Sequence, residues 1–350
     1  MDQIDRYTGY ALAREMMETP TIVRTFDPAQ TDDVASAVAE TGRLLLTGEG
    51  SSRIYPAKQA IRTALELGID CVIHTEGARQ AARYDLSRHA VFLASNSGRT
   101  SEVIGLARVL AERSNQHRYA LTAHEGTVLE SLCSATFVLS CGAEQAVAAT
   151  KSVVEQALVY ESLVRRIAGK PREVPADELA DAFEAALTLS IDADIVRAAT
   201  AAPTVYFAGF NDGVAEELTL KTNEITRRKA DFLEGTYAVH GIEEVMDPDD
   251  LVVVVDPIPD DAEKFRDVLV RGVGLKVVAI ADHETPFQTI RIPKLTEGSS
   301  YVQLAAGWNL LVEIGLALGV DLDHAERARK VGNEMEPPPA GGRGAARRVD

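Results

Sequence analysis

Ten short aliphatic runs divide this chain into two sets of five, and that rhythm restricts the folds open to it. The first set is LLLT (44–47), CVIH (71–74), AVFLA (90–94), RYALT (118–122) and TFVLS (136–140). The second is TVYFA (204–208), ADFLE (230–234), LVVVV (251–255), KVVAIA (276–281) and QTIRI (288–292). Each run suits a strand in length, and most are followed by polar or glycine residues and then a segment of helical period. Strands that alternate with helices pair in parallel, so each set predicts an open five-stranded parallel sheet covered by helices on both faces. Two arrays of one plan within 350 residues suggest two domains and an internal duplication, although the two halves do not match in sequence.

The flanks follow from the same reading. Residues 1–43 are expected to form two amphipathic helices, Arg6–Glu18 and Thr31–Thr41. The first domain takes 44–168 and closes with a helix from Thr150 to Ala168. Residues 169–180 read as a linker, because Gly169, Pro171 and Pro175 punctuate them. The second domain takes 181–335 and includes an apolar helix over 301–319; the proline- and arginine-containing tail, 336–350, is expected to be disordered.

Charge narrows the partners. A formal charge of −17 disfavours nucleic acid and acidic membranes. Such a chain binds an anion locally, through backbone N–H groups and a few cations. Cys71, Cys133 and Cys141 offer neither a disulfide framework nor paired metal spacing, so neither a metal nor a cofactor is expected. The N-terminus carries no apolar signal core and no run approaches a membrane span, which makes a cytoplasmic location the expectation.

Three loops at strand ends carry the binding chemistry. GEGSS (48–52) follows the first strand and precedes a helix; Gly50, Ser51 and Ser52 let backbone and hydroxyls approach a ligand. SNSGRT (95–100) sets Ser95, Asn96, Ser97 and Thr100 around Gly98 at a helix start, an anion cradle to which Arg99 adds charge or from which it faces water. It is not a Walker A loop, since no Gly-Lys-Ser/Thr follows. In CGAEQAVAATKS (141–152), the small Val147, Ala148 and Ala149 leave room for a ligand against backbone, and Thr150 and Lys151 open a helix. Cys141 reads as a packed thiol rather than a nucleophile, having no histidine near it in sequence.

The segment 216–241, EELTLKTNEITRRKADFLEGTYAVHG, carries the reactive groups. Lys221 and Glu224 share one helical face, and fifteen residues lie between Glu224 and His240. A carboxylate, an amine and an imidazole together can move protons both ways near neutral pH. Alternatively, Lys221 and Glu224 are a solvated pair and His240 an ordinary loop histidine.

With these loops in view, residues 40–335 resemble the sugar isomerase (SIS) domain family, most closely the tandem-SIS isomerase half of the glutamine–fructose-6-phosphate aminotransferases. The resemblance implies two tandem doubly wound, flavodoxin-like SIS domains. Its SQSGET-type phosphate loop falls on Ser95, Asn96, Ser97 and Thr100, and its Gly-Thr-Ser loop on Gly50, Ser51 and Ser52. Its Val-Ala-Ser-Thr-Lys loop falls on Val147 to Lys151, with Ala149 in place of the serine. The family's Leu-Lys-x-x-Glu helix matches Leu220, Lys221 and Glu224; its His-Gly motif matches His240 and Gly241, with Ile242 in place of proline. DLDHAERARK is similar to the family's ending and puts the catalytic lysine on Lys330, although this chain runs on beyond it.

The resemblance implies that His240 opens the sugar ring, Glu224 carries a proton between C1 and C2, and Lys221 and Lys330 stabilise oxyanion charge or form an imine. It also implies a homodimer in which His240 crosses to the partner's site. The leading expectation is aldose–ketose isomerisation of a hexose 6-phosphate or related 6-anionic (amino)sugar. The alternatives are a glucosamine-6-phosphate deaminase, a fructosamine-6-phosphate deglycase, a 6-sulfonated sugar isomerase, and a non-catalytic sugar-phosphate sensor. No cysteine amidotransferase domain is seen before residue 40, so glutamine is not expected to supply ammonia.

Overall fold

A computed structural model of the chain describes residues 5–327. All ten expected strands form, in two five-stranded sheets whose neighbouring strands all run parallel. The first contains β1 (Arg43–Gly48), β2 (Val72–Gly77), β3 (Ala90–Ala94), β4 (Arg118–Thr122) and β5 (Ala135–Val138), in the order β2-β1-β3-β4-β5. The second contains β6 (Thr204–Gly209), β7 (Lys229–Glu234), β8 (Leu251–Val255), β9 (Lys276–Ala281) and β10 (Gln288–Arg291), in the order β10-β9-β8-β6-β7. Read from the opposite edge, the second order repeats the first. In both sheets the chain reverses its direction of winding between the first and third strands, where doubly wound sheets open a crevice at their carboxyl ends.

Position in the sheet explains the patterning. The central strands β3 and β8 are buried along their whole length, which is why they read as unbroken aliphatic runs. The edge strands β2, β5, β7 and β10 carry mixed polar residues because one side of each lacks a neighbour. One apolar cluster runs from Leu12 and Met16 through Val153 and Leu158 to Val205, Val253 and Trp308, so the two halves share a core. At their junction Gly213 adopts φ +93°, and a Cβ there would lie 2.7 Å from Tyr55 Cα. Only glycine lets the loop after β6 press against the start of the helix Ile54–Leu67.

Several expected boundaries shift. The first long helix runs Ala11–Thr25, straight through Pro20, rather than stopping at Glu18. Proline removes one helical hydrogen bond, but the helix continues because Pro20, Ile22 and Val23 are buried on its inner face. The helix Ala176–Leu187 begins inside the stretch read as a linker, since Leu179, Ala180 and Phe183 are buried against the core.

The membrane reading also needs correction. Ser299–Leu318 is long and apolar enough to cross a membrane by length and composition. It is instead a core helix: 78% of its apolar window is buried, against the helices Ala176–Leu187, Ala193–Ala201 and Val214–Lys221.

Candidate functional site

The site begins at the crevice between β1 and β3. After β1 the chain makes a tight turn over Gly50–Ser52, closed by Ser52 N–H donating to Glu49 O at 3.2 Å. Gly50 takes φ +54°, and Leu220 lies opposite it. Ser51 is buried and its hydroxyl meets Lys221 Nζ at 2.7 Å. One hydrogen bond therefore joins the first sheet's loop to the second half of the chain.

Lys221 ends the helix Val214–Lys221, and Thr222–Thr226 continues it as a single π-helical turn. Wider turns of this kind recur at functional sites. Here the turn is held by Thr222 Oγ1 donating to Leu218 O and Thr226 Oγ1 to Thr222 O, each at 2.7 Å. Arg227 stops it in the left-handed region, at φ +60°. The Lys221 ammonium is fully buried and sits 2.8 Å from Glu224 Oε2 and 3.4 Å from Glu217 Oε1. The pair is thus not solvated: three oxygens surround one inaccessible ammonium. Burial opposes the charge, but Glu224 and then Glu217 outweigh it and hold the Lys221 pKa above its ordinary value. Burial raises the pKa of Glu217, and the Lys221 charge offsets part of the rise. Glu224 is the one of the two carboxylates that reaches solvent, with 30% of its side chain exposed.

The serine loop lies on the other side of the crevice, between β3 and the helix Ser101–Glu112. Ser95 and Thr100 hydroxyls pair at 2.8 Å, and Ser97 Oγ accepts from Arg99 N–H at 3.3 Å. Gly98 turns the loop at φ +64° beneath Thr127, where a Cβ would come within 2.5 Å of the threonine side chain. Asn96 points sideways: its Nδ2 donates to Glu144 Oε2 at 3.1 Å. Glu144 is buried in the third loop and also accepts from Thr150 N–H at 2.7 Å and from the Ser152 hydroxyl. Asn96 and Thr150 are therefore occupied in joining the second and third loops. Val147 N–H donates to Asp323 O at 3.0 Å, and Ala148 is buried beneath. The Asp323 carboxylate in turn accepts from Ala11 and Leu12 N–H, both at 2.8 Å, so the DLDH segment ties the third loop to the first helix.

His240 is not part of this cluster within the chain. It is exposed, follows the short turn Tyr237–Val239, and has its Nε2 3.4 Å from Lys264 Nζ. Glu224 precedes β7 and His240 follows it, so they leave opposite ends of a six-residue strand. At about 3.3 Å per residue that strand alone spans roughly 17 Å. Closeness in sequence is separation in space here, because the intervening residues are extended. Lys330 lies outside the described residues, as does the tail 336–350. Cys141 is a packed thiol: it is buried, its N–H donates to Glu155 Oε2 at 2.8 Å, and burial together with Glu155 and Glu144 pushes its pKa up. Among the described residues no cluster of histidine, cysteine, aspartate or glutamate has the makings of a metal site.

Two carboxylates escaped the sequence reading. Glu217 stands four residues before Lys221, a helical spacing that was available as a signal. Glu144 stands in an alanine-rich loop, where only the fold reveals that it bridges to Asn96.

Comparison with known proteins agrees with this fold. Residues 37–166 match the SIS domain. Over 355 aligned residues the chain is 23% identical to a glutamine–fructose-6-phosphate aminotransferase [isomerizing] of Vibrio vulnificus. That alignment takes in 91% of this chain and 58% of the relative, so the chain spans well under two thirds of it. Three solved structures each align with 93% of this chain over 99% of their own. They are the C-terminal domain of the Francisella tularensis glucosamine-fructose-6-phosphate aminotransferase (TM-score 0.74, 18% identity), the Escherichia coli tagatose-6-phosphate ketose/aldose isomerase (0.73, 18%) and the Thermotoga maritima glucosamine-6-phosphate deaminase (0.71, 19%). Residues 37–166 therefore match the SIS domain, and the two parallel sheets share the fold of these solved structures.

Proposed function

We propose that the chain is an aldose–ketose isomerase acting on a hexose 6-phosphate or a closely related 6-anionic (amino)sugar, with both sheets built as SIS domains. The observation that carries this reading is the Ser51–Lys221–Glu224 chain of contacts, at 2.7 and 2.8 Å, beside the hydroxyl-rich loop 95–100. The loop supplies an anion cradle of hydroxyls at the start of a helix, which holds the far end of the sugar. The anion's binding energy then helps to orient C1 and C2. Glu224, the partly exposed carboxylate, takes the proton from one carbon and returns it to the other through an enediol or enolamine. Lys221, sealed from the substrate but kept charged by its two carboxylate neighbours, holds Glu224 in place and adds its positive field to the oxyanion that develops at O1 or O2.

Ring opening needs a further acid–base group, and His240 has that chemistry. Because it leaves the far end of β7, we assign it to the site of a second copy in a homodimer. Lys330 is assigned to the same site by motif alone. A cytoplasmic location goes with this reading.

A deaminase of glucosamine 6-phosphate is the second reading, because the Thermotoga maritima glucosamine-6-phosphate deaminase shares this fold and the same proton transfer precedes loss of the amine. Solvent-deuterium exchange at C2, followed by NMR over hexose 6-phosphates and amino-sugar 6-phosphates, separates the two. Exchange without ammonia release supports the isomerase; ammonia release favours the deaminase. Glu224→Gln should lower turnover by about 10³-fold, within the range for a positioned acid–base group, while ligand affinity stays within a few-fold. Turnover that survives this substitution removes Glu224 from the mechanism.

A further inference from the structure

A cleft of about 490 Å³ opens between the end of the helix Ala11–Thr25, the last turns of the helix Lys151–Ala168, and residues 169–176. Val23, Phe26, Leu158 and Val174 give it apolar walls. Arg165, Arg166, Lys170 and Arg172 also line it, against the carboxylates of Asp32 and Glu161. The chain has 53 acidic and 36 basic residues, so four cations within eight positions run against its bulk charge.

Two of these cations are committed. Arg165 Nε lies 2.6 Å from Glu161 Oε1, and Arg172 pairs with Oε2 of the same carboxylate. Glu161 is buried, and it also accepts from the Tyr301 hydroxyl at 2.8 Å. This closed set shapes the cleft and leaves little charge to offer a ligand. Arg166 pairs with Asp32 at 2.7 Å, but both side chains are solvent-accessible, and such pairs are weak and readily exchanged. The last-turn arginines also offset the negative end of their helix. Lys170 lies beyond the Gly169 cap, is exposed, and has no ion-pair partner among the described residues.

We propose that this cleft is a second ligand site, for a phosphate monoester with an apolar or aromatic body. Arg166 and Lys170 take the phosphate at the rim, and the body lies on Phe26, Val23, Leu158 and Val174. The volume falls within the range of small-molecule sites, and the apolar walls exceed what a bare phosphate would cover. The cleft is separate from the sugar site assigned above. It sits at the carboxyl end of an 18-residue helix whose amino end bears Lys151. At about 1.5 Å per residue the helix rises roughly 23 Å from Lys151 to Arg166 at the cleft's charged rim, and about 11 Å to Leu158 in its wall.

The test is calorimetric titration of the full chain with adenosine monophosphate as probe, beside adenosine and inorganic phosphate. Adenosine monophosphate should bind saturably, and each control at least about tenfold more weakly, a difference near 1.4 kcal/mol. The double variant Arg166→Glu/Lys170→Glu should weaken the nucleotide by a similar factor while circular dichroism and thermal midpoint hold. Ser97→Ala should leave nucleotide binding unchanged, because that loop belongs to the other site. Absence of saturable binding, an affinity indifferent to the double variant, or loss of binding in Ser97→Ala each overturns the proposal. None of these readouts depends on turnover, so the isomerase reading stands or falls separately.

Discussion

Lys221 shows how much one residue's surroundings decide. In the sequence it is a lysine three places before a glutamate; in the fold it is an ammonium sealed under Ser51, Glu217 and Glu224. Its positive charge there is a consequence of two carboxylates overcoming burial. The hydroxyls of the serine loop were legible from SNSGRT alone, and two single-residue predictions rest on them. Ser97→Ala should raise KM for the sugar phosphate about tenfold, the roughly 1.4 kcal/mol expected of one charge-assisted hydrogen bond; steady-state kinetics measures it. Gly98→Ala puts a Cβ within 2.5 Å of Thr127 at φ +64°. It should cost about 1–3 kcal/mol in chemical denaturation, and it should weaken sugar-phosphate binding because the loop cannot keep its turn.

At the level of elements, the π turn Thr222–Thr226 and the helix Lys151–Ala168 contribute most. The turn presents Glu224 partly to solvent while Lys221 stays buried. The helix carries the site's third loop at one end and the Glu161 cluster near the other. Burial alone would raise the Glu161 pKa, but Arg172 and Arg165 reverse this and hold it below the ordinary glutamate value. A depressed carboxylate pKa stabilises the fold fully above the unfolded value, 4.5 for glutamate. That contribution is lost as pH falls through the lower folded value. Glu161→Gln should therefore lower stability near neutral pH by about 3 kcal/mol, the low end of the cost of breaking a buried pair, because Arg172 loses its carboxylate while Arg165 keeps Glu297. The gap from the unsubstituted chain should narrow as pH is taken well below 4.5. Urea titrations at several pH values check both parts, and a gap that widens in acid would refute the assignment.

At the scale of the whole molecule, the separation of Glu224 from His240 makes a prediction about assembly. Glu224→Gln and His240→Ala chains should each be nearly inactive alone. Mixed after reversible dissociation, they should regain about a quarter of normal activity: in a two-fold dimer, half the assemblies are mixed and each holds one intact site. No recovery on mixing would place both residues in the same chain's site or remove one from the reaction.

What the residues alone determined is the local and periodic part. Alternation of aliphatic runs with helical segments specified ten strands and two sheets, because strand burial writes itself directly into composition. The hydroxyl and glycine loops were equally plain, since few other residues suit a tight turn at a helix start. The tertiary structure decided everything that depends on long-range closure. It carried a helix through Pro20 because Pro20 itself lies on that helix's buried face. It joined Glu144 to Asn96 across 48 positions, and sealed Lys221 against Ser51 across 170. It also parted Glu224 from His240 by laying an extended strand between them. Sequence spacing measures distance only along the chain, and a strand spends its residues on length while packing brings remote loops to one crevice.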